Sequence, residues 1–147
     1  MIDETRSAIE FLAAMIEDLV RESSVHPGQS VAASPANATG GTLIKPGGRD
    51  SYPAFWIRDF ALSIDSGAIS RELIRHAISV IAETQNEAER ELPSGALVPA
   101  GAIADHVLFD GSPVYFPGTY APEEQGGEPW GWRPSFDDHY YFARIAA

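Results

Sequence analysis

Between Asp3 and Ser23, apolar residues return at three- and four-residue steps: Ile9, Leu12, Ala13, Ile16, Leu19 and Val20. That period draws one apolar stripe along an α-helix, with Glu10, Glu17, Asp18, Arg21 and Glu22 on the wet side. Glu17 and Arg21 stand in the favourable i,i+4 order, and Asp3 and Glu4 meet the positive end of the helix dipole. The periodicity then stops. Residues 24–51 are punctuated by Pro27-Gly28, Ser34-Pro35, Gly40-Gly41 and Pro46-Gly47-Gly48, and only Thr42-Leu43-Ile44 reads as extended. Helical spacing resumes from Asp59 to Ser66, with Phe60, Ala61 and Ile64 inward and Gly67 as the stop. Ser70 caps the next helix, whose stripe of Leu73, Ala77, Ile78 and Ile81 runs on to about Glu87. Helix, glycine turn and helix predict an αα-hairpin, with His76 as a boundary residue beside its inner stripe.

A second irregular stretch covers residues 92–134. Within it Ala96-Leu97-Val98 and Val114-Tyr115-Phe116 read as short strands that pair with each other. Ser135 then caps a final helix with Asp137 and Asp138 in its first turn and Tyr141, Phe142 and Ile145 inward. These elements predict a mainly α fold in one domain, residues 1–147, with long loops at 24–51 and 92–134 carrying minor β-structure. Loops of that length inside a compact domain are commonly functional.

Composition narrows the function more than the fold. The chain has 147 residues, enough for one core and not two. Its formal charge of −11 argues against a sequence-independent grip on nucleic acid or an anionic membrane, and it suits a neutral ligand. Cysteine is absent, which removes disulfides, thiolate metal sites and thiol nucleophiles. Met1-Ile2-Asp3-Glu4 has neither the basic nor the apolar region of a secretion signal, so a cytoplasmic location is expected. Asn37-Ala38-Thr39 matches a glycosylation sequon, which carries little weight without such a signal.

Candidate chemistry gathers in two places. Tyr52-Pro53-Ala54-Phe55-Trp56-Ile57-Arg58-Asp59 sends an aromatic segment straight into an adjacent Arg and Asp. An indole can cover the C–H face of a sugar ring, and a guanidinium with a carboxylate can bracket neighbouring hydroxyls. Asp59 could instead be a plain N-cap, and Trp56 a core filler. The second place is the loop and final helix, with Asp105, His106, Asp110, Tyr115, Tyr120, Trp130, Trp132, Asp137 and Asp138. Its aromatic rings serve either to pack the loop down or to stack on a ligand. At a helix N-terminus the dipole lowers a carboxylate's pKa, so Asp137 and Asp138 suit an acceptor or nucleophile better than a general acid.

The Phe55-Trp56-Ile57-Arg58-Asp59 segment resembles the six-hairpin α/α-toroid glycosidases, the glucoamylase-like group. Trp130-Gly131-Trp132-Arg133-Pro134-Ser135-Phe136-Asp137-Asp138-His139 is similar in flavour to their loop-to-helix entries. The resemblance implies a partial toroid, corresponding to the N-terminal portion of such an enzyme and too short for its full catalytic pair. It implies that Trp56, Arg58 and Asp59 bind sugar. Asp105, His106, Tyr120, Trp130 and Trp132 are further candidate substrate-binding residues, and Asp137 and Asp138 the catalytic candidates. No cofactor or metal is expected, and the partner is a carbohydrate.

Two alternatives stay open. One is a non-catalytic carbohydrate-binding or helical interaction module, because helices left without neighbours expose an apolar face that a partner chain or a homo-oligomer would cover. The other is a metal-dependent enzyme using Asp105-His106 and Asp137-Asp138-His139, although neither has the spacing of a known ligand motif. Ser-His-Asp catalysis and phosphate cradling lack their motifs.

Overall fold

A computed structural model of the chain describes residues 2–31, 34–47, 52–91, 97–115 and 137–147. Helix α1 spans Ile2–Ser23 and runs directly into strand β1, Ser24–Val25. β1 pairs antiparallel with β2, Leu43–Ile44, placing Val25 opposite Leu43. Strand β3, Phe55–Trp56, leads without a break into α2, Ile57–Ser63, which tightens into a 3-10 turn at Ile64–Ser66. Gly67 closes that turn in the left-handed region (φ 73°) and donates its N–H to the Ile64 carbonyl. Ser70 caps α3, Arg71–Glu83, by accepting from the Leu73 N–H at 3.2 Å. Strands β4 (Arg90–Glu91) and β5 (Leu97–Val98) form a second antiparallel pair, and β6 (His106–Val107) and β7 (Pro113–Val114) join β3 in a third sheet of order β3-β6-β7. Helix α4 covers Asp137–Ala146.

Four helices form where the periodicity places them, but α3 ends at Glu83 rather than near Glu87, α2 and α3 pack on α4 rather than as a hairpin on each other, and the mainly α partial toroid does not stand. The four helices share the fold with three small antiparallel sheets, which makes it a mixture of α and β among the described residues. Parts of the long loops are buried among the described residues, and that is the physical reason. Val98, Ala104, Val107 and Phe109 are fully excluded from solvent, and chain passing through a core must satisfy its own N–H and C=O groups. Two-residue ladders and turns do this where no helix can. The strand partners also differ from expectation. Leu97–Val98 pairs with Arg90–Glu91, and Val114 pairs with His106, so the predicted hairpin between the two does not form. Arg90 and Glu91 leave the helix because α3 stops at Thr84 and the buried Asn86 amide donates to the carbonyls of Ala88, Val98 and Pro99.

The core lies where α2, α3 and the three sheets meet, around Phe55, Phe60, Phe109, Leu43, Ile57 and Ile81. Asn37 is part of it rather than a surface acceptor for glycan. It is 2% exposed, its Nδ2 donates to the carbonyls of Val25 and Gly41, and its Oδ1 accepts from Thr39. His76 is the satisfied boundary histidine expected, with Nε2 3.0 Å from the Thr39 hydroxyl. α1 behaves otherwise. Ile9, Leu12 and Leu19 along its stripe are each more than half exposed, as is Phe11. No helix among the described residues is long and apolar enough to cross a membrane.

Candidate functional site

The register of the third sheet builds the site. β3 pairs with β6 so that Trp56 stands directly opposite His106, and directly opposed residues share a face. Their rings stack at 4.1 Å between centroids with planes 20° apart. Asp105 is fixed beside them: its carbonyl accepts from the Ile57 N–H at 3.3 Å, and its Oδ2 lies 2.8 Å from His106 Nδ1. Because β3 flows into α2, Arg58 and Asp59 follow Trp56 with only the buried Ile57 between. The result is a hollow of about 220 Å³ lined by Pro46, Tyr52, Trp56, Arg58, Asp59 and Asp105. It is smaller than the usual drug-sized pocket of about 300–1,000 Å³, and it suits a single small ring.

Helix α4 closes this region from behind by packing on α2. Asp137 pairs with Arg58 at 2.5 Å, and the Arg58 guanidinium also lies 5.8 Å from the Tyr141 ring centre. Farther along, Arg144 pairs with Asp65, tying the far end of α4 to the 3-10 turn. Asp138 points inward and is 1% exposed, with Oδ1 lacking a hydrogen-bond partner. Burial, helped by the nearby charges of Asp105 and Asp137 and opposed by Arg58, pushes its carboxyl up to about 8. The helix-terminus argument predicts a lowered pKa there. Desolvation overrides it, because the dipole is worth little beside the loss of water around a charge. A carboxyl so raised is unsuited to act as a nucleophile, and Asp138 itself does not line the hollow.

Trp56, Arg58, Asp59 and Asp105 thus share one hollow. His106 is 6% exposed and sits behind Trp56, covering one face of the indole, so Trp56 has no more than one face for a ligand. Asp59 is not the helix cap. The cap position belongs to Trp56 without a side-chain bond, and Asp59 lies exposed in the first turn. Tyr120, Trp130 and Trp132 lie outside the described residues. Among the described residues, no group of three or more His, Asp or Glu side chains is placed to hold a metal ion.

Two residues of this region escape sequence reasoning. Tyr52 is 51% exposed and meets Trp56 edge-on at 5.8 Å, which makes it the more open aromatic surface of the hollow. Its place in the same aromatic run was the available signal. Lys45, at the end of β2, is 3% exposed with no partner for Nζ, and nothing in its Pro/Gly-rich surroundings marks it. No protein-family model, curated protein or solved structure matches this chain.

Proposed function

We propose that the chain is a glycosidase-like protein that binds one sugar ring in the hollow beside Trp56. Arg58 and Asp59 bracket its hydroxyls, and Tyr52 or the open face of Trp56 lies against its C–H face. The observation that carries the reading is convergence. An aromatic pair, a guanidinium and a carboxylate from residues 52–59 meet the Asp105 carboxylate of a distant stretch in one hollow of ring size. Such walls match what a sugar offers, an apolar face rimmed by hydroxyls.

Hydrolysis of a glycosidic bond needs a proton donor and a second carboxylate. Burial raises the Asp138 carboxyl to about 8, which favours its protonated form at neutral pH, and the charge of Asp105 on the hollow's wall acts on it. Asp137, paired with Arg58, is the candidate for the second role. Replacing Arg58 by Ala is expected to weaken sugar binding about thirtyfold, the equivalent of roughly 2 kcal/mol for hydrogen bonds from a charged donor. Ligand-observed NMR against a panel of monosaccharides reads the loss, and far-UV circular dichroism should stay unchanged. Equal binding by wild type and variant removes the site assignment.

A second reading, an interaction module, has its own observation. Ile9, Leu12 and Leu19 form an exposed apolar face along α1, of the kind that marks a contact with another chain. Multi-angle light scattering is expected to give a mass above that of one chain, and Leu12→Glu to return it to the monomer. A wild-type monomer across the accessible concentration range defeats this reading.

A further inference from the structure

The charges on the walls of the hollow do not balance. Asp59 is exposed, and among the described residues its carboxylate has no ion-pair partner and no hydrogen-bond donor. Asp105, on the same hollow, keeps 16% of its side chain exposed while Oδ2 meets His106 Nδ1. Arg58 is the basic member of the described walls, and its charge is already offset by Asp137 at 2.5 Å. Lys45 gives Asp59 no partner either, because its Nζ is shut away from solvent and bonded to nothing. The hollow therefore offers a ligand two carboxylates and a guanidinium whose charge is cancelled from behind.

That balance selects among sugars. A hydroxyl can donate to a carboxylate, but it leaves the negative charge in place. An ammonium donates up to three hydrogen bonds and brings the compensating charge, and such charge-assisted bonds are the stronger kind. The aromatic members work in the same sense. Tyr52, 51% exposed, and Trp56 line the hollow with planes 80° apart, and the face of either ring attracts a cation. An anionic sugar would instead meet Asp59 and Asp105 with like charge, inside a chain whose formal charge is −11. Arg58 still serves a hydroxyl, since a guanidinium carries five N–H donors, more than one carboxylate takes up. We infer that the ring bound in this hollow is an amino sugar, with its ammonium donating to the Asp59 carboxylate and a hydroxyl accepting from Arg58. This rests on the sugar-binding reading above and narrows it from neutral sugars to cationic ones.

The test is an NMR titration of the full chain in amine-free buffer at about pH 6, where a sugar amine carries its proton. The ligands are D-glucosamine, D-galactosamine and D-mannosamine, each beside its parent hexose, with N-acetyl-D-glucosamine, D-glucuronate and cyclohexylammonium. Wild type is expected to bind one amino sugar about fivefold or more tighter than its parent, the combined effect of a partly screened ion pair and a cation against an aromatic ring. Sodium chloride should shrink that ratio. N-acetylation, which removes the charge, should abolish the advantage, and glucuronate should bind more weakly than glucose. Asp59→Asn, a nearly isosteric change at an exposed position, should bring the ratio close to one. If every pair binds alike, if salt leaves the ratio untouched, or if Asp59→Asn preserves it, the inference is overturned while the sugar reading stands. Tighter binding of glucuronate than of glucose overturns it in the same way. Cyclohexylammonium carries the charge on a ring without hydroxyls, so its binding as tightly as the amino sugar removes both readings. If no sugar binds, the sugar reading fails and this inference fails with it. The wild-type comparison needs no variant to fold.

Discussion

Asp138→Asn is expected to leave stability near pH 4 unchanged and to raise it near pH 8 by on the order of 5 kcal/mol. The sign follows from where the proton sits. The carboxyl is pushed from 3.8 to about 8 in the folded chain, so below the lower value both states are protonated and the group contributes no slope. Between the two values the folded state keeps the proton and the unfolded state has released it. Stability therefore falls by about 1.4 kcal/mol per pH unit as pH rises, until both states are ionised. Asn is neutral and of nearly the same shape, so it removes the slope. Urea denaturation of both proteins across that range measures it, and parallel curves would show that Asp138 ionises freely. The same variant should lose any hydrolysis of nitrophenyl glycosides, since an amide donates no proton to a leaving oxygen. A stability gain joined to a loss of activity is what a residue kept for chemistry should show.

The second large effect concerns the strand that carries the site. Phe55 is fully buried, and its ring meets that of Phe60 edge-on at 5.2 Å. Phe55→Ala is expected to cost about 3–5 kcal/mol for the cavity, a large share of the roughly 5–15 kcal/mol that holds such a domain folded. Phe55→Leu should cost much less, because most of the volume stays. Since Trp56 follows directly, loosening Phe55 also frees the indole from His106. The chemical-denaturation midpoint and the indole Nε1–H resonance of Trp56 report the two consequences separately. A variant with native stability would mean that the sheet does not anchor this corner of the core.

What the sequence made legible and what it hid follow from the range of each interaction. The helices were readable because their signals are local. Ser70 caps from three residues away, and Gly67 ends a helix through its own backbone. Strands of two residues carry no period, so nothing in Arg90-Glu91 or His106-Val107 announces pairing. Those pairs form where described parts of the loops are buried, and burial is a property of the closed chain. The site divides the same way. Trp56, Arg58 and Asp59 lie within one short run and could be read together, and Asp105 and His106 stood out as an acid beside an imidazole. The raised pKa of Asp138 could not be foreseen, because a helix start and a buried helix start look the same in one dimension. Lys45 is the sharper case, a lysine that any pattern rule assigns to solvent.

The clamp between α4 and the 3-10 turn has a kinetic consequence. Asp65 and Arg144 stand 79 positions apart, and Arg58 meets Asp137 across a comparable span. Contacts that close so much chain form late, after α2 and α3 can each exist on their own local signals. Rapid-mixing experiments should therefore find helical signal arriving before any ligand can be held, with the binding-competent geometry as the last thing the chain acquires.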